Sequence, residues 1–454
     1  MKNKPRLAVF VVLILLLFGI LFQVYLTGLE KTAQYALAYR WQPWRHDLLE
    51  KIGLQDFENG ELPRAIAGFL QARQKNSLSQ AGQQTLAQAY FQTGQVGLAL
   101  AEWQSLRDNG QQDPQMLLEM ARLYHQQDDF AREAEIAQAG AELFPDFVEF
   151  HWRLGLLEMA QTPLAAIPFF ERIQALDPGP GYPFSDLLQA LERASLVDSA
   201  AYQLTIAGQA LASLNEWPLA RLAFERALVA DPAYAPAWAL LAETRQQLGL
   251  PEALPALELA LQLDPRSAST NAYLGLYWQR QSDFVRAAQF FERASQLEAD
   301  NPFWLMNLSD LALARGQVPL AHAYLLRAVA AAPENALAWR ALALFCLQTE
   351  GCLLEEGLPA ALKARRLASA DWRSADTLGQ VLMALGEDQS AHALLARAVE
   401  LAPAEAAPLF HLGLLHLRAR EFTLARQNLQ TALALDPNGP LAATIRSVIE
   451  RYLP

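Results

Sequence analysis

A period of 34 residues, marked by a short helical motif, runs through most of this chain. The motif reads AFERALVADP at 223–232 and FFERASQLEA at 290–299, and weaker copies follow. Phe291 and Leu325 are 34 residues apart, and so are Pro403 and Pro437. A fixed period of this length indicates an array of structural repeats in which each repeat packs on its neighbours.

Each unit contains a second landmark upstream of this motif. The segments LGLYWQRQSDFVRAAQFFERA (274–294) and LGLLHLRAREFTLARQNLQTA (412–432) share a Leu-Gly pair, a turn, and then an Ala, a large residue and an Ala. Apolar residues fall at the spacing of an amphipathic helix on both sides of the turn. Two helices approach closely where one presents a small residue and the other a bulky one, and the closing proline ends the second helix. We therefore predict a helical hairpin for each unit.

These residues resemble the tetratricopeptide repeat, with an aromatic opening as at Trp238, the Leu-Gly pair at Leu274 and Gly275, and a period of 34. The resemblance implies an all-α fold, a right-handed α–α superhelical solenoid of hairpins whose first helices line a concave surface. It also implies binding of other proteins or peptides on that surface.

Spacing irregularities predict the domain organisation. We expect a repeat array of about four units over 46–179, a joint with an extra helix over 180–200, about seven units over 201–438 and a capping helix over 439–454. The joint is inferred from Gly179, Pro180, Gly181 and Pro183, which oppose helix formation. The segment 28–45 is either a half-repeat or an aromatic belt at the headgroup level.

The N-terminus predicts a transmembrane helix in front of the repeats. An uncharged apolar stretch begins at Leu7 and ends at Thr27, and it is long enough to cross the hydrocarbon layer of a bilayer as a helix. Three cations in residues 1–6 favour a cytoplasmic N-terminus, with the repeats outside the cytoplasm. A cleaved signal peptide is the alternative, but this apolar stretch is long for one.

Composition and motifs argue against several function classes. A net charge of −12 opposes nucleic-acid binding. His411 and His416 are five residues apart, not at the i, i+4 spacing of a helical zinc site, and no phosphate-binding loop follows a strand pattern. We therefore expect no catalytic site, no cofactor, no metal and no enzymatic activity.

Cys346 and Cys352 are the only cysteines, and both fall at an enlarged inter-helix loop. On one unbroken helix their side chains would diverge, but Gly351 interrupts the helix between them. If the repeats lie outside the cytoplasm, a disulfide that closes this loop is one interpretation. Two free thiols, one of them buried, are the alternative.

Candidate binding residues follow from the Leu-Gly register, at one and at four or five positions beyond the glycine or its equivalent. They are Gln88, Phe91, Gln92, Arg122, His125, Gln126, Glu243, Gln246, Gln247, Gln279, Arg280, Gln380 and Met383. This lining is rich in amides, which suit hydrogen bonding to an extended peptide. We expect a membrane-anchored scaffold that binds proteins or peptides and assembles envelope complexes. The alternative is an accessory subunit that presents glycan or peptide to a membrane-bound glycosyltransferase or cell-wall enzyme.

Overall fold

The computed structural model describes residues 4–176, 179, 182–349 and 351–453, with side chains from residue 17 onward. All regular structure in the described residues is helical, as predicted. The predicted joint lies partly outside this description, at residues 180 and 181. Contacts divide the chain into unit 1, Met1–Ala223, and unit 2, Phe224–Pro454. The domain boundaries inferred from the sequence remain predictions.

Unit 1 begins with a long helix and continues as antiparallel hairpins. Its helices are α1 (Lys4–Lys31), α2 (Tyr35–Trp41), α3 (Asp47–Glu58), α4 (Leu62–Gln74), α5 (Gln80–Gln92), α6 (Val96–Asp108), α7 (Pro114–Gln126), α8 (Phe130–Leu143), α9 (Val148–Gln161), α10 (Ile167–Leu176), α11 (Phe184–Ser195) and α12 (Ala200–Ser213), with a 3₁₀ turn at Pro163–Ala166. The next helix, α13 (Trp217–Ala230), contains the boundary between the units.

Unit 2 continues the same pattern of paired helices. Its helices are α14 (Ala235–Gln247), α15 (Ala253–Leu263), α16 (Ala268–Arg280), α17 (Phe284–Leu297), α18 (Pro302–Ala314), α19 (Val318–Ala331), α20 (Ala336–Thr349), α21 (Leu358–Leu367), α22 (Trp372–Leu385), α23 (Asp388–Leu401), α24 (Ala406–Arg418), α25 (Phe422–Leu435) and α26 (Ala442–Tyr452), with a π-helical turn at Leu353–Gly357.

Several hairpins are closed by the small-to-large contact that the sequence predicts. A Cβ built at Gly275 in α16 would lie 2.9 Å from the ring of Phe291 in α17, which is completely buried. A Cβ at Gly413 in α24 would lie 2.9 Å from Leu429 in α25. The glycine lets the second helix approach until the large side chain rests on the backbone of the first. This packing explains why the Leu-Gly pair recurs.

An aromatic side chain near the start of several first helices is bonded to the preceding turn. The indole nitrogen of Trp238 donates a 2.9 Å hydrogen bond to the carbonyl oxygen of Pro232, and Trp339 donates one of 2.7 Å to Pro333. His151 makes the equivalent contact with the carbonyl oxygen of Pro145 at 2.8 Å. The bond satisfies a carbonyl in the turn after the preceding helix and fixes the direction of the next one.

The Gly/Pro-rich segment does not separate the neighbouring first helices of unit 1. Helix α11 buries Leu187, Ala190, Leu191 and Ala194 on one face, and it packs on α10 and α12. Helix α9 also contacts α12 directly. The surplus residues of this region therefore form an additional helix, while the row of first helices continues from α9 to α12.

The C-terminal helix α26 packs on α25 and covers the end of unit 2. It buries Ala442 and Ile445, whereas Arg446 and Glu450 are exposed. An apolar inner face with a charged outer face is what the end of a repeat array requires.

Helix α1 is docked onto the first hairpin at its C-terminal end. Leu26 and Leu29 are buried against Ala38 of α2 and Leu48 of α3. Glu30 extends this contact through ion pairs with Arg45 and Lys51. These contacts fix the end of α1 relative to the repeats.

Among the helices of the described residues, none combines the length and apolar character needed to cross a membrane. The side chains of the first ten residues of the predicted transmembrane stretch, 7–16, lie outside the described residues.

Candidate binding surface on the first helices

Several first helices of consecutive hairpins contact one another, and the first helices are the candidate binding surface in each unit. In unit 1, α3 contacts α5 and α9 contacts α12. In unit 2, α14 contacts α16, α18 contacts α20, α20 contacts α22, and α22 contacts α24. Residues one repeat apart are therefore brought onto adjacent helices. We call the surface formed by α14, α16, α18, α20, α22 and α24 the unit-2 first-helix surface.

The three candidate residues on α5 have different environments. Phe91 packs on the buried Trp103 of α6, with ring centroids 5.9 Å apart, so it belongs to the hairpin core. Gln88 is partly buried, and Gln92 is exposed at the end of the helix. The two amides therefore remain candidates for contact with a ligand, and Phe91 is better explained by packing.

The structure places His125 of α7 in a buried ionic cluster. Its Nδ1 lies 2.9 Å from Glu133 of α8, and its Nε2 lies 3.2 Å from Glu216. Arg153 of α9 binds the other oxygen of Glu133 at 2.6 Å, and the side chain of Glu133 is 1% exposed. A second ion pair, with an N···O distance of 2.7 Å, joins Asp128 to Arg221. These contacts tie α7, α8, α9 and the start of α13 together within unit 1.

The charge state of the cluster is set by competition between burial and pairing. Burial by itself would lower the pKa of His125, but hydrogen bonds to Glu133 and Glu216 raise it from the ordinary 6.5 to about 9. Burial likewise opposes ionisation of Glu216, yet its bond to His125 lowers the pKa of this carboxyl. His125 is therefore an imidazolium at neutral pH and holds the cluster together, which is a structural role.

We predict that this cluster loses stability at alkaline pH. Because the folded pKa of His125 is raised above the unfolded one, its stabilisation is complete below about pH 6.5 and is lost as the pH rises through about 9. The difference corresponds to about 3 kcal/mol. Urea unfolding of the full chain in detergent at pH 7 and pH 10 measures the loss. The variant His125→Gln should show a much flatter pH dependence, and an unchanged slope in this variant would contradict the assignment.

The neighbouring residues Arg122 and Gln126 lie outside this cluster. Arg122 is exposed and pairs with Glu119 one turn before it at 3.0 Å, and Gln126 is exposed at the end of α7. Both side chains are accessible at the surface of the first helix.

Three candidate residues of unit 2 form one connected group between α14 and α16. Arg280 binds both carboxylate oxygens of Glu243, at 2.6 and 2.7 Å, and these bonds raise the pKa of Arg280. Gln247 donates a 2.7 Å hydrogen bond to the same carboxylate. Burial and the charge of Glu243 raise the pKa of Tyr273. Both carboxylate oxygens of Glu243 are therefore occupied, and this residue links α14 to α16.

The remaining candidates are spread along the unit-2 first-helix surface. The amide nitrogen of Gln246 is buried without a hydrogen-bond partner in the described part of the chain, and Gln279 is partly buried. Gln380 donates to Asp376 at 2.8 Å. Met383 is partly buried, and its carbonyl oxygen accepts a hydrogen bond from Arg418.

Asp376 is a buried carboxylate that links α22 to α24. Nδ1 of His411 lies 2.8 Å from it, in addition to the bond from Gln380. His411 and His416 do not converge on a common point, since His416 is bonded to Glu421 at 2.5 Å. The two histidines are separate structural residues.

The enlarged loop after α20 is closed by a bond between its two cysteines. The Sγ atoms of Cys346 and Cys352 are 2.03 Å apart, and Cys346 is completely buried. Ligand-type atoms of His322, Cys352 and Glu356 lie within 4.8 Å of one another. The sulfur of Cys352 is bonded to Cys346 and cannot act as a thiolate ligand, so this group does not provide a three-ligand metal site.

We predict that this bridge is present in the protein isolated from cells. Alkylation of the unfolded chain without reductant should then modify neither cysteine, and prior reduction should expose both to the reagent. Mass mapping of the peptide that contains Cys346 and Cys352 reads out the difference. Two alkylated thiols without reductant would contradict the bridge.

Sequence reasoning missed Glu133, Arg153, Glu216 and Asp376 as partners of the candidate residues. Some of these pairs could have been predicted from the repeat period, because their members are separated by about one repeat. Glu243 and Arg280 are 37 residues apart, and Asp376 and His411 are 35 residues apart. His125 and Glu216 are 91 residues apart across the irregular segment, and no repeat spacing links them.

Comparison with known proteins agrees with this architecture. A tetratricopeptide repeat model matches residues 279–345, and a second tetratricopeptide repeat model matches 85–146 and 377–440. No curated protein matches the chain.

Solved structures with similar helical arrangements have low sequence identity to the chain. One is the APC/C hetero-tetramer Cut9–Hcn1, with 14% identity, 95% of this chain and 96% of that chain covered, and a TM-score of 0.42. Another is yeast Tom70, with 16% identity, 82% and 88% covered, and a TM-score of 0.42. A third is Pseudomonas aeruginosa pilF, with 20% identity, 48% and 98% covered, and a TM-score of 0.38. No functional property is carried over from these proteins.

Proposed function

Because the chain contains tetratricopeptide repeats, we propose that it is a non-catalytic scaffold that binds other proteins or peptides along its first helices. The observation that carries the proposal is the row of adjacent first helices in unit 2, with accessible polar side chains. Stacked hairpins of this kind present a continuous surface, and such surfaces recognise extended or helical segments of a partner.

We also propose that the stretch from Leu7 to Thr27 anchors this scaffold in a bilayer, with a cytoplasmic N-terminus and the repeats outside the cytoplasm. The support is the uncharged apolar sequence, its length and the preceding cations. Trp41 and Trp44 are exposed, and the ring of Trp41 packs on Phe22 of α1 with 5.9 Å between ring centroids. Exposed aromatic residues of this kind are common at a membrane interface. On this proposal the partners are envelope proteins.

Crosslinking in the native membrane, followed by identification of the attached segments, tests the scaffold proposal. Reproducible attachment of a protein segment to residues on the first helices is expected. Attachment confined to second helices, or attachment of glycan in place of protein, would contradict it. Protease added to intact cells tests the orientation separately: the repeats should be digested, and complete protection would contradict the proposed topology.

A further inference from the structure

Ion pairing distinguishes one arginine from all other arginines on the first helices. Six of the seven have a carboxylate between 2.6 and 3.8 Å away. These six are Arg122, Arg153, Arg245, Arg280, Arg373 and Arg418. The seventh is Arg340 of α20, which has no carboxylate within 4.0 Å among the described residues, although its side chain is partly buried.

The two carboxylates that attract Arg340 electrostatically, Asp371 and Asp376, are already engaged. Asp371 caps the N-terminus of α22, where it accepts from the backbone N–H of Arg373 at 3.1 Å and from Ser374 at 3.4 Å. Asp376 is bonded to His411 and Gln380. Both carboxylates attract the guanidinium across a longer distance, and burial lowers the pKa of Arg340 despite this attraction. The cation therefore bears a desolvation cost that no described residue offsets through a direct bond.

A second unpaired charge lies on the adjacent first helix. Asp310 of α18 is exposed and has no cation within 4.0 Å in the described part of the chain. Desolvation by the surrounding protein nevertheless raises the pKa of its carboxyl. Because α18 packs on α20, the unit-2 first-helix surface presents one free anion and one free cation on neighbouring helices.

We propose that Arg340 binds an acidic side chain of an extended peptide, and that Asp310 receives a basic side chain of the same peptide. This inference rests on the proposed scaffold function and specifies the peptide chemistry recognised by unit 2. A guanidinium forms two parallel hydrogen bonds with a carboxylate, and these are strongest where water is partly excluded. Neighbouring helix axes lie about 8–10 Å apart. A peptide in the polyproline II conformation advances about 3.1 Å per residue with three residues per turn, so side chains three positions apart face the same side, about 9 Å from each other. The acidic and basic residues should therefore be about three positions apart.

Selection from a library of short random peptides, displayed on phage and bound to the purified full chain in detergent, tests this inference. Enriched sequences should carry an acidic and a basic residue at that spacing. Loss of a charged hydrogen bond costs about 1.5–3 kcal/mol, so Arg340→Ala should weaken binding of an enriched peptide about ten- to a hundredfold. Selection on the Arg340→Glu variant should enrich peptides that carry a basic residue in place of the acidic one. Selection on Arg340→Lys should still enrich peptides with the acidic residue.

The matched control is Arg293→Glu, which makes the same charge change at an exposed position of the second helix α17. This control should select the same peptides as the unmodified chain. Unchanged circular dichroism and thermal midpoint establish that the Arg340 variants are folded. If the enriched peptides bind all Arg340 variants as tightly as the unmodified chain, the inference is overturned and the scaffold proposal stays intact. Absence of any enriched peptide would contradict peptide binding by this surface altogether.

Discussion

Replacing Phe291 with alanine is expected to lower the free energy of unfolding of its hairpin by about 3–5 kcal/mol. Phe291 is completely buried in α17 and rests on Gly275 of α16. Removing the ring leaves a cavity that the neighbouring helices cannot fill without losing contacts with the next repeats. Hydrogen exchange measured by mass spectrometry on the full chain should show faster exchange in α16 and α17.

The matched control is Val285→Ala, on the same helix α17. Val285 is 57% exposed, so its truncation should change stability by no more than about 0.5 kcal/mol. If the two variants altered exchange in α16 and α17 equally, the small-to-large contact would not be the main source of hairpin stability. Because every hairpin contributes to an array through its neighbours, the Phe291 effect should extend weakly into α18 and fade further away.

Replacing Glu133 with glutamine is expected to destabilise unit 1 by about 3–5 kcal/mol. The carboxylate is the common partner of His125 and Arg153, and its side chain is 1% exposed. The amide keeps the size of the side chain but leaves Arg153 without its paired carboxylate and leaves His125 paired with Glu216 alone. Thermal unfolding of the full chain and hydrogen exchange in α7, α8 and α9 should report the loss.

The matched control is Glu135→Gln, two residues further along α8. Glu135 pairs with Arg107 at 2.5 Å but its side chain is 61% exposed, so the change should cost no more than about 1 kcal/mol. The double variant Glu133→Leu with Arg153→Met, which removes the anion and one cation together, should be less destabilised than Glu133→Gln. Equal effects of Glu133→Gln and Glu135→Gln would contradict the central role of the buried carboxylate.

The hairpins could be predicted from sequence because their stabilising contacts are local. Gly275 and Phe291 are 16 residues apart within one unit, and the same small-to-large pattern returns with Gly413 and Leu429. Amphipathic spacing determines which faces are buried, and a proline in the following turn marks the end of the second helix. These features do not depend on any distant part of the chain.

The environments of the candidate residues could not be predicted from the sequence, because position on a first helix does not reveal what a side chain contacts. Gln92 and Gln126 lie at accessible helix ends, whereas His125 belongs to a buried cluster and Phe91 packs in a core. Arg340 was absent from the expected set because all the expected positions follow the glycine of a unit or its equivalent. Its distinguishing property is the lack of a nearby free carboxylate, and this depends on the bonds made by Asp371 and Asp376.

The sequence by itself determined that the chain is a series of antiparallel helix pairs, because a recurring pattern of small and large apolar residues permits one local packing. The tertiary structure decided which charges neutralise one another. His125 meets Glu216 because the extra helix α11 is accommodated while α9 still packs on α12. Among the described residues Arg340 has no carboxylate partner, because Asp371 and Asp376 bond within α22 and to α24. Charge pairing depends on distances between helices, and a linear pattern of residues does not specify those distances.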